Sequence, residues 1–168
     1  MNLPDTLKIL IITLSDRAHK GEYEDLSGPR ISEIISKYLS SLNWEYSVNL
    51  TLIPDDADIL REVLTSAGSI NNIIITTGGT GIGPRDITVE TVAPLLAKEI
   101  PGIMEFIRIK YGTEKPNALL SRGVAGIIGK SLIYTLPGSL RAVDEYMTEI
   151  LKTLIHTIYM QYGVDAHK

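Results

Sequence analysis

Apolar residues along the chain fall into two kinds of pattern, continuous runs and stripes at helical spacing. Leu7–Leu14 (LKILIITL) is a short Ile-rich apolar run, too short for a typical helix, and it predicts a strand buried on both faces. Asn72–Thr77 (NIIITT) predicts a second buried strand and Ser131–Leu136 (SLIYTL) a third. Glu45–Ile53 (EYSVNLTLI) alternates instead, with Tyr46, Val48, Leu50 and Leu52 on one side, and predicts a half-buried strand near a sheet edge. Between these runs lie helical stripes. One carries Ile31, Ile34, Ile35, Tyr38, Leu39 and Leu42 behind a cap at Ser27 with Pro29 in the first turn. A second carries Ile59, Leu60, Val63, Leu64 and Ala67 behind a cap at Asp55 or Asp56, and the last runs from Leu140 to about Tyr159. Thr88 opens a helical stretch interrupted near Pro94. Ile100-Pro101-Gly102 reads as a break before a short helix over Ile103–Tyr111, and Ser15 to Asp25 as a polar loop.

Strands alternating with helices define an α/β domain with a mainly parallel sheet covered on both faces. Length agrees with one unit spanning residues 1–168, without repeats, linkers or low-complexity runs. Composition narrows the chemistry. Cysteine is absent, which excludes disulfides, thiolate metal sites and cysteine nucleophiles, and His19, His156 and His167 have no metal-ligand spacing. A net charge of −4 without a basic run argues against nucleic acid as a partner. No apolar stretch reaches 18 residues and Met1–Thr6 lacks the features of a signal peptide, so neither membrane nor export is expected and the cytoplasm is the expected compartment.

Open parallel sheets bind ligands beyond the carboxyl ends of their strands. Four loops should therefore share one edge: Ser15–Ser27, Pro54–Asp56, Gly78–Asp86 and Pro137–Ser139. The most specific of them is Thr76-Thr77-Gly78-Gly79-Thr80-Gly81-Ile82-Gly83, with four glycines in six residues. Such a loop lets backbone N–H groups approach an anion closely. It is not a dinucleotide fingerprint, because Pro84 follows where a third glycine belongs. Gly123–Ser131 resembles a phosphate-binding P-loop but has five residues rather than four between Gly123 and Gly129, and it leads into a strand. Lys130 then reads as a surface lysine.

Asp55 and Asp86 each follow a predicted strand and form the candidate carboxylate pair. Beside a phosphate-binding loop they suit Mg²⁺, although each also fits a helix cap or a turn closure. Ser15 and Asp16 suit a polar ligand or a solvated loop. Ser121 and Arg122 suit a phosphate clamp, with a surface ion pair as the alternative. Pro137-Gly138-Ser139 brings a rigid turn and a hydroxyl, with Ser139 also suited to capping the last helix.

In this order the segments resemble the molybdopterin adenylyltransferase family, the MogA/MoaB-like proteins. The likeness rests on Leu14-Ser15-Asp16-Arg17 with Gly21 and Asp25, Ser27-Gly28-Pro29, Leu52-Ile53-Pro54-Asp55, the Ile75–Gly81 block, Arg85-Asp86-Ile87-Thr88, Leu120-Ser121-Arg122, and Leu136-Pro137-Gly138-Ser139. It covers nearly the whole chain. Val89 departs from it, standing where many relatives carry proline.

The resemblance implies a molybdopterin-binding-like, three-layer α/β/α fold. It also implies Mg-ATP-dependent adenylylation of molybdopterin, with release of pyrophosphate. By motif, Asp55 and Asp86 match the acidic residues required for the reaction, and the resemblance implies that they act through Mg²⁺. Gly78, Gly79, Thr80 and Gly81 match the floor of the site, with Thr77 as a further binding residue. Ser121, Arg122 and Ser139 match the holders of the ligand phosphate, with Ser15, Asp16, Pro137 and Gly138 around them. The resemblance further implies a homotrimer or homohexamer and a downstream molybdenum-insertion protein as partner. Two alternatives share the glycine loop: a non-catalytic molybdopterin carrier, and the related domain of competence-associated proteins acting on other nucleotides.

Overall fold

The computed structural model describes residues 3–164; Met1, Asn2 and His167 lie outside the described residues. Six strands form one sheet, from edge to edge β2 (Glu45–Ile53), β1 (Thr6–Leu14), β3 (Ile73–Thr77), β6 (Ser131–Leu136), β5 (Ala125–Ile128) and β4 (Lys98–Glu99). The three apolar runs become β1 (Thr6–Leu14), β3 (Ile73–Thr77) and β6 (Ser131–Leu136), and the alternating segment becomes β2 (Glu45–Ile53) at the sheet edge. These four are mutually parallel, with Ile11 of β1 opposite Leu50 on one side and Ile75 on the other. The expected α/β architecture is therefore present, with both faces of the sheet covered.

Side chains alternate across β1. Leu7, Ile9 and Ile11 point into a core formed with α2 (Ser27–Ser41), α5 (Pro101–Gly112) and α6 (Leu140–Gln161). Leu10, Ile12 and Leu14 join a second core under α3 (Ala57–Ala67) and α4 (Thr88–Val92). Burial on both faces is what makes the β1 and β3 runs continuously apolar.

Several local details differ from the sequence-based expectation, each for a physical reason. Asp16–His19 is a short helix, α1, capped by Ser15, within the stretch expected to be a loop. Ser27 does not cap α2. The Asp25 carboxylate accepts from the amides of Ser27 and Gly28 at 3.0 and 3.1 Å, and the Ser27 hydroxyl donates to the Gly138 carbonyl at 2.8 Å. Of the two candidate caps of α3 it is Asp56 that serves, as expected, accepting from the amides of Asp58 and Ile59. Pro101 does not break a helix; it occupies the first turn of α5, where its missing N–H costs nothing. Leu50 is 48% exposed although it shares a side with Tyr46 and Val48, which pack against the core.

The P-loop lookalike is a hairpin. β5 (Ala125–Ile128) runs antiparallel to β6 across a turn at Gly129-Lys130, and Lys130 is exposed. The short strand β4 (Lys98–Glu99) then pairs antiparallel with β5.

On α6, Glu149 is 4% exposed and accepts from Lys110 at 2.6 Å, Lys152 at 2.7 Å and the Tyr111 hydroxyl at 3.2 Å. Burial pushes its carboxyl up, but the two ammonium groups outweigh burial and hold it below the ordinary value. A lowered folded-state pKa gives stability that is present above the unfolded pKa and lost as pH falls through the folded value. Glu149→Gln should therefore destabilise the protein at pH 7 by about 1–2 kcal/mol, the lysines being partly exposed. The gap from the parent should narrow below about pH 4.5. Urea unfolding at neutral and acid pH reads it directly; a gap that widens in acid would contradict this account.

Candidate active site

The parallel arrangement of β1, β2, β3 and β6 puts the ends of all four strands, and the four polar loops after them, on one edge of the sheet. The glycine loop after β3 is held from three directions. Gly78 N donates to Leu136 O at 2.9 Å and the Thr77 hydroxyl to Pro137 O at 2.9 Å, which fixes the loop to the end of β6. From the other side Thr88, the first residue of α4, donates its hydroxyl to Gly78 O at 2.8 Å and its amide to Gly79 O at 3.0 Å.

Gly78 and Gly79 take φ of +104° and +65°. A Cβ on Gly78 would lie 2.3 Å from the Leu14 carbonyl oxygen, and one on Gly79 would lie 2.5 Å from the Thr88 hydroxyl. Both positions therefore require glycine.

Arg122 closes the far side of the loop. Its amide donates to Thr80 O at 2.9 Å, its Nε to Gly81 O at 2.8 Å, and its guanidinium pairs with the carboxylate of Glu90. That pair raises the Arg122 pKa and lowers that of Glu90. Arg122 thus shapes the loop while its guanidinium is engaged by a surface carboxylate. Ser121 shares a hydrogen bond of 3.3 Å with the Thr80 hydroxyl.

The two carboxylates occupy different neighbourhoods. Asp86 accepts from Gly83 N at 2.7 Å, closing the turn of the glycine loop. Asp55 forms a reciprocal pair with Asp16, the first residue of α1: Asp16 N donates to Asp55 Oδ2 at 3.0 Å and Asp55 N to Asp16 Oδ1 at 3.1 Å. Arg85, adjacent to Asp86, pairs with the Asp16 carboxylate and donates to the Asp55 carbonyl at 3.3 Å. The loops bearing Asp55 and Asp86 are thereby tied to each other through Arg85. At Asp16 burial pushes the carboxyl up, but the Asp55 amide and the Arg85 charge hold it below the ordinary value.

A cavity of about 370 Å³ opens beside the loop. Gly79, Thr80, Gly81 and Asp86 form one wall, Ser121 contributes to it, and Pro137, Gly138 and Ser139 form another. Ser139 also caps α6, accepting from Ala142 N at 3.3 Å. A second cavity of about 150 Å³ shares Gly138 and is bordered by Ser15 and Thr77. Gly78 is buried beneath the loop, whereas Asp16, Asp55 and Arg122 border neither cavity.

Sequence reasoning gave no site role to five residues that matter here. Thr88 pins the glycine loop, and Lys115, Arg141, Glu145 and Tyr146 line the large cavity. Of these, Thr88 left a signal as the last residue of the Arg85–Thr88 motif, and Arg141 and Glu145 through their i,i+4 spacing.

A glycine loop at the carboxyl edge of a parallel sheet, next to a cavity with a carboxylate on its wall, defines an α/β protein built to bind an anionic small molecule. Residues 10–157 match the family model described as a probable molybdopterin binding domain. The chain is 35% identical over 161 residues to a molybdopterin adenylyltransferase of Helicobacter pylori, covering 94% of this chain and 89% of the relative. It is 37% identical to one of Pyrococcus furiosus, covering 92% and 91%. Its structure superposes on the molybdopterin biosynthesis enzyme MoaB of Thermus thermophilus with a TM-score of 0.83 and 34% identity, over 94% of this chain and 97% of that one. The chain belongs to the molybdopterin-binding family of molybdenum cofactor biosynthesis proteins.

Proposed function

We propose that this protein is a molybdopterin adenylyltransferase that uses Mg-ATP. A terminal phosphate oxygen of molybdopterin would attack the α-phosphorus of ATP, forming the new P–O bond as the bond to pyrophosphate breaks. The products are adenylyl-molybdopterin and pyrophosphate. Adenylyltransferases among its relatives, at 35–37% identity over most of the chain, support the reaction class.

The observation that carries the site assignment is convergence. Three loops distant in sequence place Gly79, Thr80, Gly81, Asp86, Ser121, Pro137, Gly138 and Ser139 around one cavity. In such a reaction the protein contributes mainly positioning and charge neutralisation. The glycine loop's amides and the hydroxyls of Ser121 and Ser139 suit phosphate oxygens, and Thr77, Gly78 and Arg122 hold the loop in shape. Ser15, Asp16 and the smaller cavity extend the site along the same edge.

Among the described residues no three His, Cys, Asp or Glu side chains cluster as a metal cage. The donor set fits the mode in which Mg²⁺ is shared between one or two carboxylates, water and substrate phosphate. Asp86, on the cavity wall, would supply such a carboxylate directly, and the ion would neutralise charge on the phosphates; Asp55, engaged by Asp16 N outside the cavity, would have to exchange that hydrogen bond to join it.

Pyrophosphate release from the purified protein with Mg-ATP tests the reading. Release should require molybdopterin. Binding of molybdopterin with no release would instead make the protein a carrier, a role favoured by the engagement of Asp86 with Gly83 N.

A further inference from the structure

The large cavity has a charged wall outside the motifs quoted above. Lys115 precedes the short turn after α5, and Arg141 lies in the first turn of α6. Both donate to the same oxygen of Glu145, Lys115 Nζ at 2.8 Å and Arg141 Nε at 3.0 Å. All three side chains border the cavity. Two cations sharing one carboxylate leave a surplus positive charge on this wall. Arg141 meets Glu145 through Nε, so its terminal nitrogens stand outside the pair.

Exposure differs across the cluster. The Glu145 side chain is 17% exposed, against 31% for Lys115 and 68% for Arg141. The carboxylate is the held member, and the cation heads are the movable ones. Tyr146, the next residue, supplies an independent observation. It is 3% exposed and borders the same cavity, and its hydroxyl lies beside Ser121 without a hydrogen bond of full geometry. Burial pushes its pKa up, which keeps the hydroxyl a neutral donor. The positive end of the 22-residue helix α6 faces this wall through Ser139, Arg141 and Ala142.

We propose that Lys115 and Arg141 form a phosphoryl-oxyanion subsite of the cavity, and that Glu145 is the internal anion occupying it until a ligand phosphate takes its place. The proposal rests on the reading that the cavity receives phosphate-bearing ligands. One oxygen of Glu145 serves two cations, whereas a phosphoryl group offers each its own oxygen and carries more charge. Exchange of Glu145 for the ligand therefore favours a polyanion over a single carboxylate. The cations return to the same carboxylate when the product leaves. The phosphoryl group can belong to the nucleotide's phosphate chain or to the terminal phosphate of the pterin.

Calorimetric titration of the intact protein with inorganic pyrophosphate tests this. Glu145→Gln keeps the shape of the side chain and removes the competing charge, so pyrophosphate should bind about fivefold tighter. The double variant Lys115→Met/Arg141→Gln should bind it about thirtyfold more weakly. Unchanged or weaker binding in Glu145→Gln overturns the proposal, as does parent-like affinity in the double variant. A gain of affinity cannot come from misfolding, so the Glu145→Gln arm decides even if the double variant is unstable.

ADP and molybdopterin titrated into the double variant identify the source of the phosphoryl group, because the ligand that loses affinity is the one whose phosphate sits there. Pyrophosphate binding needs no AMP transfer, so the two readings fail separately. Tighter pyrophosphate binding in Glu145→Gln without pterin-dependent turnover in the parent would sink the adenylyltransferase and keep the subsite. Turnover in the parent with unaltered pyrophosphate affinity in Glu145→Gln would do the reverse.

Discussion

Gly78→Ala is expected to lower the stability of the fold by about 3 kcal/mol or more and to abolish ligand binding. Two costs add. At φ of +104° an L side chain is strained wherever it points. In addition, the new methyl would lie 2.3 Å from the Leu14 carbonyl oxygen, a backbone atom at the end of β1. Gly78 cannot retreat, because its N–H is bound to Leu136 O and its carbonyl to the Thr88 hydroxyl. Gly21→Ala isolates the first cost: its φ is +74° with nothing within 4 Å of the new methyl, so it should lose only about 1–2 kcal/mol. Urea unfolding of the two variants gives the comparison. Equal losses would show that the approach to Leu14 contributes nothing and that the loop can shift. Gly79→Val acts in the same direction, displacing the Thr88 hydroxyl from Gly78 O and removing binding.

Much of this architecture was legible because burial writes itself into strands directly. Continuous Ile-rich runs at β1 and β3 reflect cores on both faces of the sheet, and the alternation of β2 reflects an edge. From three parallel strands the location of the binding edge follows, and with it most of the cavity wall. The β5–β6 hairpin was not legible. Its glycines imitate a phosphate loop, and only pairing of Ala125 with Tyr134 and Ile128 with Ser131 reveals what they do.

The cap of α2 was not legible for a related reason. Asp25, rather than Ser27, satisfies the first amides of α2 because Ser27 is engaged by Gly138, and of the two candidates for α3 it is Asp56 that caps, Asp55 being engaged by Asp16. Pairings across loops carry no local signal. The same holds for Lys115 and Glu145, thirty residues apart and joined only by the fold.

Asp86 brings the structural and the chemical roles of a carboxylate into one side chain, and a single substitution separates them. Its Oδ2 accepts from Gly83 N and packs against Gly81, closing the turn, while the residue borders the large cavity. Alanine removes both functions at once and is hard to interpret alone. Asparagine keeps the size and an acceptor oxygen for Gly83 N but removes the negative charge. If Asp86 acts on the phosphates through charge, Asp86→Asn should bind molybdopterin within a few fold of the parent and turn over about a hundredfold more slowly, as for loss of one preorganised electrostatic group. Pterin-dependent pyrophosphate release, together with a titration of molybdopterin, measures both quantities. A parent-like rate in Asp86→Asn would reduce the residue to a turn closure. In that event the catalytic charge would have to come from the Asp16–Asp55 pair that Arg85 ties to the same loop. A hundredfold loss of rate with binding intact would instead place the charge on the cavity wall, within reach of ligand phosphates in the cavity beside the glycine loop.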